Sequence, residues 1–175
     1  MENKFFELAA ARRSVRKYTG KPVDSEILHE ILKVALTAPN SFGHQPVEFV
    51  VVQDPDMIER LAACKTYGGK QILSAGAVVV VMVDQERVEL WIEDGSCAST
   101  YILLAAEQYG LGACWVHIRG RNGVNKSSDE EIRDLLSIHA EYSILNLVAI
   151  GEKAEEKTPY QESDLDLSKI HYGHF

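Results

Sequence analysis

The segment from Ala77 to Val83 constrains the fold most, because it is apolar at every position (AVVVVMV). A strand with one solvated face alternates apolar and polar residues, whereas a strand buried on both faces has an unbroken apolar run. The segment therefore predicts an interior strand in a sheet that is covered by helices on both sides.

The rest of the pattern predicts a mixed α and β chain of about four strands and five helices. The expected helices are a short one around Phe5–Ala9, then Ser25–Thr37, Pro55–Cys64, Ser96–Tyr109 and one that opens with a capping box at Ser128–Glu131. The expected strands are Val47–Val52, Ala77–Val83, Ala113–Ile118 and Ser143–Ile150. The connections are too irregular for a doubly wound parallel sheet, and the absence of GxGxxG and GxxxxGK[ST] loops argues against the usual dinucleotide and P-loop folds.

Length and charge narrow the class further. A chain of 175 residues predicts a single domain, residues 1–175, and the net charge of -8 disfavours nucleic acid and anionic membranes as partners. The charged residues Lys4 and Glu7 near the start argue against a signal peptide, and no apolar run is long enough for a membrane helix. Three scattered cysteines without CxxC spacing indicate reduced thiols, so we expect a cytoplasmic protein.

A basic cluster, Arg12-Arg13-Ser14-Val15-Arg16-Lys17, stands out in this acidic chain. Guanidinium forks bind phosphate oxygens in pairs, and the hydroxyl of Ser14 adds one more donor, so the cluster could hold one phosphate monoester. The alternative interpretation is a solvated run of charges at the end of a helix.

Two other segments have the composition of ligand-binding loops. Residues 38–46 (APNSFGHQP) place amides and small residues between a helix and a strand, where they could recognise the polar edge of a planar ring or simply form a turn. Residues 110–117 (GLGACWVH) place two glycines before a strand, and Trp115 could flank a ring or lie in the core.

The sequence offers no protein nucleophile or metal site of a familiar kind. GxSxG and HExxH are absent, no local Cys–His pair is visible, and the six histidines show no metal-ligand spacing. A candidate phosphate site without a catalytic residue fits a protein whose chemistry belongs to a bound cofactor.

Taken in order, the motifs RRSVRKY (12–18), APNSFGHQP (38–46), GLGACW (110–115), LVAIG (147–151) and HYGHF (171–175) resemble those of the nitroreductase family of FMN-dependent oxidoreductases, in particular its short members. The resemblance covers essentially the whole chain. It implies an α+β fold with three α/β/α layers, a mixed and mainly antiparallel sheet, and an intertwined homodimer with FMN at the subunit interface. The C-terminal arm, about residues 152–175, would contact the partner subunit.

The resemblance also implies a set of flavin-binding residues. Arg12, Arg13, Ser14 and Arg16 would hold the phosphate, ribityl and pyrimidine parts, and Lys70 or Gln71 would reach the pyrimidine side. The loop residues Pro39, Asn40, Ser41, Gly43 and Gln45 would come from the other subunit, and Trp115, Val116 and His117 would line the ring. The chain departs from the family in two respects. Tyr160 stands where an arginine is common, which leaves Lys157 to assist Arg12 and Arg13 with the phosphate. The chain is also too short for the helices that longer members insert over the flavin, which implies a more open substrate pocket.

The function implied by the resemblance is a ping-pong reaction in which NAD(P)H reduces the flavin and an electron-poor acceptor, such as a nitroaromatic or a quinone, reoxidises it. The alternatives are a flavin-binding redox sensor, a flavin store or a specialised flavin reductase or dehydrogenase with the same fold. A third interpretation makes the basic cluster a nucleic-acid or protein docking patch, but no aromatic residues for base stacking are interleaved with it.

Overall fold

The computed structural model describes residues 3–175, and the first two residues of the expected domain lie outside that range. Five α-helices and four β-strands follow one another as expected from the sequence. They are α1 (Lys4–Ala11), α2 (Ser25–Leu36), β1 (Val47–Val52), α3 (Pro55–Ala63), β2 (Ala77–Asp84), α4 (Trp91–Gln108), β3 (Gly112–His117), α5 (Ser128–Leu136) and β4 (Tyr142–Gly151).

The four strands form one sheet in the order β1-β2-β4-β3, and neighbouring strands are antiparallel. Among residues 3–175, the one parallel pairing is an isolated bridge between Ser14 and Ala113 beside β3. The prediction of a mixed, mainly antiparallel sheet is therefore confirmed.

Helices cover both faces of the sheet, as the apolar run in β2 predicts. Val78, Val80 and Met82 pack in one cluster with residues of α3 and α5, whereas Val79 and Val81 pack in another with residues of α2 and α4. Every residue from Ala77 to Val83 is at most 8% exposed. Alternate side chains of one strand thus enter two separate cores, which gives three α/β/α layers.

Helix α4 begins at Trp91, five residues before the expected start at Ser96. Polar residues at its beginning hid the helical pattern, although Glu93 and Asp94 in the first turn favour a helix N-terminus. Gly95 is required by packing, since a Cβ there would lie 2.8 Å from Leu145 Cδ2. The difference matters because it places Asp94 inside the helix.

The capping box of α5 is shifted by one residue from the expected position. Ser127, and not Ser128, accepts the backbone N–H of Glu130, and Glu130 in turn binds the backbone N–H of Ser127. Glu131 is unavailable for the expected box because its carboxylate accepts the backbone N–H groups of Asn125 and Lys126. Within residues 3–175, no helix is long and apolar enough to cross a membrane.

Candidate functional site

The basic segment Arg12–Lys17 leaves α1 and runs beside the start of β3. The backbone N–H of Val15 donates to the carbonyl of Ala113 at 3.1 Å, next to the bridge between Ser14 and Ala113. This approach requires glycine at position 112, because a Cβ there would lie 2.7 Å from Val15 Cγ1. Gly112, at the start of β3, therefore allows Val15 of the basic segment to approach the strand closely.

The chain that follows β4 lies on the other side of the basic segment. The backbone N–H of Arg16 donates to Glu155 Oε1 at 2.6 Å, and Lys157 Nζ lies 3.0 Å from Glu155 Oε2. These two partners hold the pKa of Glu155 below its usual value. Lys157, the expected phosphate ligand, is therefore paired with a carboxylate of its own chain.

Tyr160, the departure noted in the sequence, contacts Arg13. The Arg13 guanidinium lies 4.4 Å above the centre of the Tyr160 ring and donates to the carbonyl of Thr158. The backbone N–H of Tyr160 donates to Ala10 at 3.0 Å. Arg13 therefore fastens residues 158–160 to the end of α1 through a cation–π contact and a hydrogen bond.

The guanidinium groups of Arg12 and Arg16 keep their charge unneutralised. Within the described residues neither takes part in an ion pair, and Arg16 Nη1 donates only to the carbonyl of Ser14, at 3.3 Å. Arg12 and Arg16 thus leave guanidinium N–H groups free for an anion beside the start of β3, whereas the Ser14 hydroxyl lies within hydrogen-bonding reach of the Cys114 thiol.

Further along β3, Trp115 and His117 project from the same face and are half-buried. Their rings are stacked, with centroids 6.2 Å apart and planes 16° apart, and Trp115 Nε1 donates to His117 Nδ1 at 3.4 Å. Val116 projects from the opposite face and is buried in the core at 1% exposure. Only the main chain of Val116 is therefore available to a ligand, whereas Trp115 and His117 also offer side chains.

Lys70 and Gln71 lie in a short 3₁₀ turn, Lys70–Ile72, near the basic segment. Ser74, just after the turn, lies within 3.4 Å of the backbone N–H of Tyr18, which donates to its hydroxyl. Lys70 is exposed and lines an open cavity of about 490 Å³. The structure thus places this turn on the side of the molecule that carries Arg16.

The loop 39–45 is anchored to the first turn of α4. Ser41 donates two hydrogen bonds to Asp94 Oδ1, and the backbone N–H of Gln45 donates to Asn40 Oδ1 at 2.9 Å. Phe42 and Gln45 have positive φ angles of 52° and 48°, a conformation that is rare outside glycine. Phe42 is 93% exposed as a result. Such strain persists only where surrounding contacts impose it.

Asp94 is the residue of this site that the sequence analysis missed. Its carboxylate is 4% exposed, and Oδ2 has no hydrogen-bond partner among the described residues. Together with Pro39, Asn40 and Gln45, Asp94 lines a cavity of about 20 Å³, which has room for one water molecule. A carboxylate in the first turn of a mostly apolar helix was the available signal, but the helix was expected to start after it.

The loop 39–45 and the basic segment lie at opposite ends of α4. Asp94 holds the loop at the first turn, whereas Glu107 in the last turn binds Lys153 Nζ at 2.7 Å, beside the basic segment. A rise of 1.5 Å per residue separates Asp94 from Glu107 by about 20 Å along the helix. One chain therefore brings together the basic segment, β3 and the turn at Lys70, but not the loop. Within residues 3–175, no three His, Cys, Asp or Glu side chains gather as a metal site.

Comparison with known proteins gives concordant results. The model of the Nitroreductase family matches residues 9–66. The "Putative NADH dehydrogenase/NAD(P)H nitroreductase" of Archaeoglobus fulgidus is 32% identical over an alignment of 165 residues that covers 91% of this chain and 92% of that protein.

Solved structures of the same kind superpose over nearly the whole chain. An FMN-dependent nitroreductase from Clostridium difficile is 40% identical, with a TM-score of 0.92 over 96% of this chain and 98% of that chain. A "putative nitroreductase in complex with FMN" from Desulfovibrio desulfuricans is 26% identical, with a TM-score of 0.77 over 98% of this chain and 100% of that chain.

Proposed function

Since this chain belongs to the nitroreductase family and is an NAD(P)H-dependent FMN oxidoreductase, we propose that it reduces nitroaromatics, quinones or similar electron-poor acceptors by a two-step, ping-pong mechanism. When bound, FMN would supply the two-electron redox chemistry that links NAD(P)H to the acceptor. The protein contributes binding, orientation and electrostatics. No side chain needs to act as nucleophile, acid or base.

The proposal depends on the unpaired guanidinium N–H groups of the basic segment, which lie beside the start of β3. Arg12, with the hydroxyl of Ser14 beside it, fits a phosphate monoester, because within residues 3–175 no carboxylate pairs with the Arg12 guanidinium. Arg16 and Lys70 are the cations that would favour negative charge on the pyrimidine side of a reduced flavin. Trp115 and His117 follow along the same strand and would line the ring.

The position of the loop 39–45 supports a homodimer. The loop lies about 20 Å along α4 from the basic segment, so we infer that the loop residues Pro39, Asn40, Ser41, Gly43 and Gln45 serve the site of a second copy. Apolar side chains of the C-terminal arm are exposed, from Leu165 at 39% to Phe175 at 103%. A second copy would bury them.

The visible spectrum and two additions test the proposal. We expect purified protein to be yellow, to bleach on anaerobic addition of NADPH or NADH, and to regain its colour when a quinone is added. Steady-state rates at several quinone concentrations should give parallel double-reciprocal lines. A yellow protein that no reduced nicotinamide bleaches would instead support the flavin store or sensor, and a colourless protein that takes up no FMN would refute the flavin site.

A further inference from the structure

Beyond the end of β3, two loops lie close together and form a second basic cluster. The backbone N–H and the hydroxyl of Thr66 both donate to the carbonyl of Asn122, at 3.2 and 3.0 Å. The neighbours of these residues, Lys65 and Arg121, are thereby brought together. Arg119 lies in the same turn, which Gly120 closes with a φ of 66°.

The three cations of this cluster, Lys65, Arg119 and Arg121, are not neutralised by the described part of the chain. Lys65 Nζ donates to the carbonyl of Tyr67, and none of the three takes part in an ion pair within residues 3–175. Of the nearby carboxylates, Glu59 lines the cavity next to Lys65, and Glu131 is held by backbone N–H groups.

The charges act on one another and on His117. Burial and the charge of Arg121 lower the pKa of Lys65, and burial followed by the charges of Arg121, Arg119 and Lys65 lowers the pKa of His117. Like charges gathered in a chain with 26 acidic and 18 basic residues are an arrangement that a bound anion would stabilise.

FMN does not account for this cluster. Its single phosphate is assigned to Arg12 and Ser14 at the start of β3, and His117 lies five residues further, about 17 Å along the strand. Of the cluster, Lys65 lines an open cavity of about 490 Å³, the volume of a small-molecule site, which extends from Lys65 and Thr66 to Lys70. An anion bound here would belong to a second molecule.

We propose that Lys65, Arg119 and Arg121 form an anion subsite that binds a phosphate or carboxylate group of the substrate lying against Trp115 and His117. This inference rests on the proposed function for the identity of that substrate. Two sources offer the required chemistry: the phosphates of NAD(P)H and the anionic group of an acceptor.

Equilibrium binding tests the subsite without turnover. Titration calorimetry of the FMN-loaded protein with adenosine 2′,5′-bisphosphate, and separately with 4-nitrobenzoate, should show binding of at least one probe. Lys65→Gln and Arg121→Gln should weaken it about tenfold, as expected when a charge-assisted hydrogen bond is lost. Arg87→Gln, which removes an exposed cation from the turn after β2, is the matched control and should change nothing.

Kinetics then separate the two sources. A KM that rises for NADPH but not NADH assigns the adenosine 2′-phosphate, whereas a rise for both assigns the pyrophosphate. A rise for 4-nitrobenzoate but not for 4-nitrobenzyl alcohol assigns the acceptor. The subsite is refuted if neither probe binds or if the variants match Arg87→Gln in every assay. Failure of the proposed function is seen separately, as wild-type protein that takes up no FMN or whose bound FMN no reduced nicotinamide bleaches.

Discussion

Ser41 donates two hydrogen bonds to the same oxygen of Asp94, one from its backbone N–H and one from its hydroxyl, each at 2.9 Å. Ser41 opens the loop that carries the positive φ angles of Phe42 and Gln45, and Asp94 is buried in the first turn of α4. A loop proposed to contact flavin is thus held in an unfavourable conformation by one carboxylate. Asp94 is a positioning residue in this arrangement, since it acts through Ser41.

Replacing Asp94 should therefore affect both stability and flavin binding. We expect Asp94→Ala to lower the free energy of unfolding by about 2 kcal/mol, because two hydrogen bonds to a buried acceptor are lost. FMN should also bind more weakly. Asp94→Asn keeps an acceptor for Ser41 and should recover part of both losses.

Urea unfolding and fluorescence titration with FMN measure these two effects. Glu93→Ala removes the exposed neighbouring carboxylate and serves as the control. If Asp94→Ala is destabilised but binds FMN as tightly as wild type, Asp94 has a structural role only.

The basic cluster gives a prediction about redox potential. Arg16→Ala should make the midpoint potential of bound FMN more negative, because a cation near the pyrimidine side favours the reduced, anionic flavin. Lys17→Ala, which removes the adjacent exposed cation, is the control. Spectroelectrochemical titration measures both variants, and an unchanged potential in Arg16→Ala would remove Arg16 from this role.

The sequence predicted the layers of this fold because burial leaves a direct trace in residue type. The apolar run of β2 indicated helices on both faces, and valines on alternate positions do enter two cores. Long-range pairing leaves no such trace. Nothing in the local pattern indicated that Arg13 would stack on Tyr160 or that Glu155 would accept the backbone N–H of Arg16, since both contacts join residues more than a hundred positions apart.

The local pattern also failed to position the capping box of α5, because two neighbouring serines fit it equally well. Ser127 and Ser128 each have a glutamate three residues later, and only the tertiary contacts of Glu131 decide between them. The start of α4 was also misplaced, because its first turn is polar, and Asp94 was therefore not expected to lie in the helix. The assignment of Pro39, Asn40, Ser41, Gly43 and Gln45 to the flavin site remains a prediction, because it depends on a second copy of the chain.

A complementation experiment tests that assignment. Arg12→Glu should abolish FMN binding in one subunit's basic segment, and Gly43→Asp should place bulk and negative charge in the loop, where the structure leaves open space around Gly43. If each flavin site takes its basic segment from one copy and its loop from the other, a dimer of the two variants has one site with both defects and one intact site.

We therefore expect each variant alone to be colourless and the mixed dimer, refolded together and separated by two affinity tags, to bind one FMN per dimer. Flavin absorbance against protein concentration gives this ratio. A mixed dimer that binds no FMN would indicate sites built within single chains, and a protein that elutes as a monomer when loaded with FMN would contradict the shared site directly.

The last prediction concerns pH. The pKa of His117 is lowered from 6.5, mainly by burial and then by the charges of Arg121, Arg119 and Lys65. As pH falls through 6.5, His117 takes up a proton in the unfolded chain before it does so in the folded chain. The free energy of unfolding therefore decreases as pH falls below about 6.5. His117→Gln should remove this contribution. Urea unfolding from about pH 8 to about pH 5 should show wild-type stability falling faster than that of the variant. His174→Gln, at an exposed histidine, serves as the control, and equal slopes for wild type and His117→Gln would show that the pKa of His117 is not lowered.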